Sequence, residues 1–335
     1  MVNGNAYGID LGTSNIKIYS LSDDKILVEK NMIAIEGKAN IFAYGDSAYE
    51  MYEKAPSNIH ISFPLSSGVI ADINNMKQLV HFFVNDLSRN NIKPSDYYIT
   101  VPTDVTEVEK RAFYDLVKEA DVKAKNVSVV EKAIADGLGL DIDVKNSQGV
   151  LVVDIGYDTT EISILSLGGI VRSRLIKTGG FKFDTAIQNA VRKQYNLVIG
   201  QKTAEGVKNS LKDLEKQGEN AVVYGRDLVT GLPVERELPT KFVCESMAEQ
   251  FRIIIDSIKV ILELTPPELA ADIFKHGIYL TGGASQTSHL ASLISKSTGL
   301  GVNESENPIT SVALGLSKVI KDSNYKSVAY SIEGK

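Results

Sequence analysis

Ile9-Asp10-Leu11-Gly12-Thr13-Ser14, near the start of the chain, is almost restated by Val153-Asp154-Ile155-Gly156-Tyr157-Asp158-Thr159-Thr160 in its middle. Each stretch is an apolar run ending in Asp, followed by Gly with small hydroxyl residues. Each then alternates apolar and polar positions (Ile16, Ile18 and Leu21; Ile162, Ile164 and Leu167). The pattern reads as strand, tight turn, strand, made twice. Two such turns facing each other would surround a polyphosphate with backbone N–H groups. Asp10 and Asp154 would then stand as partners for Mg²⁺, through water, because Mg²⁺ keeps most of its hydration shell. The simplest reading is a duplicated fold with a nucleotide in the cleft between its halves.

The duplication extends past the turns. Residues 97–101 read as a buried strand, 104–120 as an amphipathic helix, 127–130 as a strand and 132–140 as a helix. The order recurs late in the chain as strand 277–281, helix 286–297, strand 300–303 and helix 309–319. Alternating strands and helices predict α/β layers with a mixed sheet in each half. Asp104 with Glu107 offers a capping box for the first of these helices. Residues 30–70, rich in Tyr, Ser, Asn and Gly, and residues 181–241, with helices at 184–195 and 203–216 and a hairpin at 221–238, read as insertions. Thr265-Pro266-Pro267 ends a long helix over 245–264. The tail after Asp322 has no helical period and reads as mobile.

A chain of 335 residues can hold two cores. A net charge of −6 without dense Lys or Arg runs argues against nucleic acid. Apolar runs are too short to span a bilayer, and residues 1–10 lack the pattern of a secretory leader. Cys244 is the single cysteine and the four histidines are scattered, which argues against disulfides and zinc sites and points to a reducing, cytoplasmic setting.

A third turn, Thr281-Gly282-Gly283-Ala284-Ser285, follows a strand and opens a helix, an arrangement suited to phosphate or nucleoside contact. The first turn, Gly12-Thr13-Ser14-Asn15, adds hydroxyl and amide donors to close backbone approach. The second is Gly156-Tyr157-Asp158-Thr159-Thr160. Competing nucleotide signatures such as the Walker loop, the dinucleotide fingerprint and the kinase set are missing.

Gly8 to Asn15, Gly68-Val69-Ile70-Ala71-Asp72, Leu167-Gly168-Gly169-Ile170-Val171, residues 225–233, Thr265-Pro266-Pro267-Glu268-Leu269-Ala270-Ala271-Asp272-Ile273 and Leu280-Thr281-Gly282-Gly283 together resemble the MreB/Mbl family of bacterial actins. The resemblance covers essentially the whole chain. It implies an actin-like ATPase fold, two duplicated RNase H-like lobes with four subdomains around a nucleotide cleft that holds ATP with Mg²⁺. These would be residues 1–30 with 71–145 and 305–335, residues 31–70, residues 146–180 with 242–304, and residues 181–241. It implies homopolymer filaments, antiparallel and double, serving cell shape or cytoskeleton-driven motility. Paralogous bacterial actins and a peripheral membrane contact are further partners by the same resemblance. Glu205 and Lys208 would line the adenosine side; from the residues alone they are a solvated helix face. Direct membrane insertion reads as weak, since residues 1–5 are short and polar and Ile92 is the lone apolar residue of loop 90–94.

Two departures bear on chemistry. Where the family reads Ile-Glu-Glu-Pro, its second Glu orienting the attacking water, this chain has Val130-Glu131-Lys132-Ala133. An ammonium has three donors and no acceptor, so Lys132 cannot aim a water's lone pair at phosphorus. Losing that acceptor should slow the chemical step by roughly 10²- to 10⁴-fold, leaving a weak ATPase in which Thr159 or Thr160 polarises the water. In the second turn, Tyr157 and Asp158 replace two family glycines. Lys132 and Asp158 either pair across the cleft or Asp158 points to solvent. The alternative functions are an actin-superfamily small-molecule kinase, which shares the Asp-x-Gly turns, and a chaperone-type ATPase, which would need a substrate-binding domain after Asp322.

Overall fold

The computed structural model describes residues 5–37 and 40–332. The polar N-terminal segment, save Asn5, and the last three residues of the tail lie outside them. Two sheets carry the molecule, and they are built alike. In the first, Lys25–Lys30, Asn15–Ser20, Asn5–Leu11, Ser95–Val101 and Ala124–Glu131 lie side by side in that order. In the second the order is Gly169–Ile176, Thr160–Ser166, Val150–Ile155, Ile278–Thr281 and Val302–Glu304. In both, the first three strands are antiparallel and the last three parallel. Val150–Ile155 is buried at every position, as a central strand covered on both faces must be, which explains its continuous apolar run around Asp154.

A helix follows the last parallel strand of each sheet, Lys132–Gly139 after the first and Ser311–Lys321 after the second. These two helices meet backbone to backbone. A Cβ added at Gly139 would lie 1.8 Å from the Ser311 carbonyl oxygen, and one at Gly315 would lie 1.7 Å from that of Ala135. Glycine at both positions is what lets the lobes share a seam.

The insertions fold as small units. Ile33–Glu36, Asn40–Tyr44 and Ile59–Ser62 form a three-stranded sheet beside a helix, Gly45–Met51, that the sequence pattern does not announce. Leu197–Val198, Ala221–Asp227 and Pro233–Leu238 form another, packed with helices Gly180–Tyr195 and Gln201–Gln217. The expected hairpin is present, its turn held by the Asp227 carboxylate, which accepts the N–H groups of Val229 and Thr230 at 2.8 Å each.

Several expectations are corrected. The helix expected over 104–120 is Glu107–Glu119, capped by a Thr106–Glu109 box rather than by Asp104. Asp104 sits at φ +58 and gives its carboxylate to Ser173 Oγ and the Leu175 N–H instead. The long helix over 245–264 is two, Thr240–Ser246 and Ala248–Glu263, and Pro267 opens a further helix, Pro267–His276. The helix over 286–297 is a 3₁₀ turn, Gly283–Gln286, followed by Leu290–Thr298. The tail is not loose as far as it is described. Ser323–Val328 forms a 3₁₀ turn and Ala329–Tyr330 pairs with Val129 and Val130, extending the first sheet. Ile92 is 8% exposed and packs into the first lobe's core, so loop 90–94 presents no apolar side chain to a membrane. Among the described residues no helix is long and apolar enough to cross one.

Candidate nucleotide cleft

The two Asp-bearing strands end opposite each other across a cavity of about 500 Å³. Their turns match in detail. The Gly12 N–H donates to the Asn15 carbonyl at 3.1 Å, and the Gly156 N–H donates to that of Thr159 at 2.9 Å. Glycine relieves that closure: a Cβ at Gly12 would clash with Asn15 O at 2.7 Å, and one at Gly156 would stand tightly against Thr159 O at 3.1 Å. The third turn abuts the second lobe's aspartate. Gly282 has φ +88, and a Cβ there would fall 2.1 Å from Asp154 Oδ1.

Asp10 and Asp154 are both buried, and each already faces an ammonium. Lys17 lies opposite Asp10 in the strand register and donates to its Oδ2 at 3.0 Å, while Thr100 Oγ1 donates to Oδ1 at 3.2 Å. Burial alone would raise the Asp10 pKa, but Lys17 and Lys132 hold it below its ordinary value. Opposite Asp154 in register stands Glu161, a second carboxylate. Lys132, the first residue of its helix, inserts between them at 2.5 Å from Asp154 Oδ2 and 3.2 Å from Glu161 Oε1. The remaining Glu161 oxygen accepts the Thr103 N–H and hydroxyl, each at 3.1 Å. Burial would lower the Lys132 pKa, yet Asp154, Glu161, Asp10 and Asp136 around it raise it well above its usual value. Lys132 is therefore a fixed cation at working pH, with no lone pair to offer a water.

The ion pair between Lys132 and Asp158 is not formed, and Asp158 does not point to solvent either. Its Oδ2 accepts the Ser67 N–H at 2.9 Å, tying the second turn to the hairpin of Leu65–Ser66 and Val69–Ile70 in the other lobe. Asp158 therefore does not line the cavity. Thr160 is also displaced from the chemistry, since it is fully buried and its hydroxyl donates to Thr178 O at 2.7 Å. Ser285 closes its own turn on Gly282 O and stays behind the wall. Gly12, Thr13, Ser14, Asn15, Lys132, Gly156, Tyr157, Thr159, Glu205, Lys208, Gly282, Gly283 and Ala284 do line the cavity with the two aspartates.

Glu205 and Lys208 lie at the far end, on helix Gln201–Gln217. Neither is simply solvated. Lys208 pairs with buried Asp184 at 2.7 Å, and Glu205 accepts the Tyr49 hydroxyl at 3.1 Å from the opposite insertion. Glu53, from the same insertion as Tyr49, accepts the Gln201 N–H at 2.8 Å. Burial raises the Asp184 carboxyl to about 6 despite Lys208. Sequence reasoning missed Lys17, Glu161 and Asp184. A charged residue inside an otherwise apolar strand or helix face was the available signal for each.

The MreB/Mbl protein family model matches residues 4–328. The chain belongs to the MreB/Mbl family. Among MreB/Mbl relatives, the cell shape-determining protein Mbl of Bacillus subtilis is 36% identical over 315 residues, covering 92% of this chain and 93% of that protein. The cell shape-determining protein MreB of Escherichia coli K12 is 34% identical over 326 residues, covering 95% and 93%. MreB5 of Spiroplasma citri, solved bound to ADP, superposes with a TM-score of 0.90 at 33% identity over 97% of this chain and 98% of that one. The same protein bound to AMPPNP gives 0.90 over 98% and 99%. A MamK double helical filament, at 24% identity and a TM-score of 0.78, shares the fold. The actin-like fold that the family resemblance implies is the fold of this MreB/Mbl chain.

Proposed function

We propose that the cleft binds ATP, that bound nucleotide gates assembly of the chain into homopolymer filaments of a cell-shape cytoskeleton, and that hydrolysis is slow. The observation that carries this reading is the pair of matched glycine turns, each preceded by a buried aspartate, opposed across a cavity of about 500 Å³. The turns supply backbone donors for phosphates, and Glu205 and Lys208 lie where a nucleoside would extend. The solved MreB5 relatives carry ADP and AMPPNP, and the MamK neighbour is a filament, which supports the same reading.

Slow turnover follows from Lys132. Orienting a water for in-line attack needs an acceptor, and the group at this position is a cation clamped by two carboxylates. Glu161 is held by Lys132 on one oxygen and by Thr103 on the other. Thr159 is the remaining hydroxyl of the expected set that lines the cavity.

Magnesium is the cation the family implies, and the residues here fit it poorly. Both aspartates expected to face it already carry an ammonium within 3.0 Å. No step is therefore routed through a metal.

Light scattering and electron microscopy with ATP, with ADP and without nucleotide, alongside phosphate release, test the proposal. Nucleotide-dependent filaments with little phosphate release are expected. A monomer that transfers phosphate to a small molecule would replace this reading with that of a kinase. Lys132→Glu sets a third carboxylate beside Asp154 and Glu161, so it is compared in magnesium, per bound nucleotide and on folded protein; there phosphate release should rise by about 10²-fold or more if the missing acceptor is the limiting defect. No gain would remove Lys132 as the cause.

A further inference from the structure

We propose that this chain holds its nucleoside triphosphate without needing a divalent cation, with the ammonium groups of Lys17 and Lys132 taking the cation's place beside Asp10 and Asp154. The proposal rests on the nucleotide reading of the cleft given above. A triphosphate is strongly anionic, and two bare carboxylates on the cleft floor would repel it. In phosphoryl-transfer sites a divalent ion ordinarily bridges and screens such groups. Here the screening is built in covalently. Lys17 and Lys132 both line the cavity, and their side chains are only 14% and 17% exposed, so both are half-buried groups that open onto the cleft.

Both ammonium groups also keep N–H donors for a phosphate. An ammonium has three N–H donors. Lys17 gives one to Asp10 and keeps two, and its nitrogen lies 2.9 Å from where a Cβ of Gly12 would stand, directly over the first phosphate turn. Lys132 divides two between Asp154 and Glu161 and keeps one. The same contacts crowd out a metal. Seating one against Asp154 means displacing an ammonium already at 2.5 Å, and seating one against Asp10 means displacing another at 3.0 Å. The second lobe supplies Lys132 with its partners. Its strand register places Glu161 directly opposite Asp154, and two adjacent buried carboxylates demand a cation between them.

The test is equilibrium binding of a fluorescent, non-hydrolysable ATP analogue to the full chain, in magnesium and in excess EDTA. Affinities within about threefold of each other are expected, since no metal is being removed from the complex. Lys132→Met should lose about 30-fold or more in EDTA, by removing a buried charge that faces the phosphates, and should regain part of it when magnesium is added. Lys17→Met provides the same comparison if Lys132→Met does not fold. Tight binding in magnesium that falls by more than about 30-fold in EDTA for the unaltered chain would overturn the proposal while leaving the nucleotide reading intact. Absence of binding in both conditions would overturn the nucleotide reading itself, and this proposal with it.

Discussion

The strand pairs that carry Asp10 and Asp154 have the same backbone, but the residues facing the two aspartates are opposite in charge. In the first lobe the residue in register with the aspartate is Lys17, and the pair is self-contained. In the second lobe the equivalent position is Glu161, so Asp154 gains a like-charged neighbour, and the neutralising cation comes from the other lobe as Lys132. A duplicated scaffold thus keeps its turns and its aspartates but balances charge locally on one side and across the seam on the other. Lys132 also begins a helix, where the backbone dipole disfavours a cation, so its carboxylate partners must outweigh that term as well.

The sharpest way to break the comparison is to remove each lysine in turn. Lys132→Met leaves two adjacent buried carboxylates without a counter-ion and should cost about 3–5 kcal/mol of stability. Lys17→Met leaves one, still bonded to Thr100, and should cost about half as much. Urea unfolding of the two variants measures the difference, and equal losses would mean that the lobes are not balanced differently.

The glycines give a smaller contrast. Gly282→Ala forces a left-handed backbone and a Cβ 2.1 Å from Asp154 Oδ1, so about 2–3 kcal/mol is expected. Gly12→Ala should cost less, about 1–2 kcal/mol, because its φ is unstrained and one of its two close neighbours is the flexible end of Lys17. The reverse order in thermal unfolding would contradict the placement of Asp154 against the third turn.

The smallest effect concerns the second lobe's other buried pair, Asp184 and Lys208. The native Asp184 carboxyl holds its proton up to about pH 6, whereas an unfolded aspartate releases it near pH 4. Between those values the native state binds more protons than the unfolded chain, so this group makes stability fall as pH rises through the window. Asp184→Asn should flatten that part of the stability–pH curve, whatever it does to the absolute level. An unchanged slope would show that Asp184 does not titrate there.

What the sequence made legible follows the range of the forces involved. The glycine turns and their aspartates could be read because a tight strand-turn-strand unit is specified by neighbours within a few residues. The helix cap was misplaced because Asp104-Val105-Thr106-Glu107-Val108-Glu109 contains two overlapping cap patterns. Contacts from Asp104 to Ser173 and Leu175, far along the chain, decide between them. The partners of Lys132 were misread for the same reason. Asp158 lies near the cleft in sequence terms, but the strand register presents Asp154 and Glu161 to the ammonium and turns Asp158 toward Ser67. The ordering of the tail likewise depends on a free sheet edge, at Val129 and Val130, that no local pattern reveals.

The central claim is that a triphosphate sits between the two glycine turns under two lysines. A structure of the chain with a non-hydrolysable ATP analogue tests it most directly. The account predicts phosphates between Gly12–Asn15 and Gly156–Thr159, with Lys17 Nζ and Lys132 Nζ at hydrogen-bonding distance from their oxygens. An analogue bound elsewhere, or a cleft left vacant at saturating analogue, would contradict it.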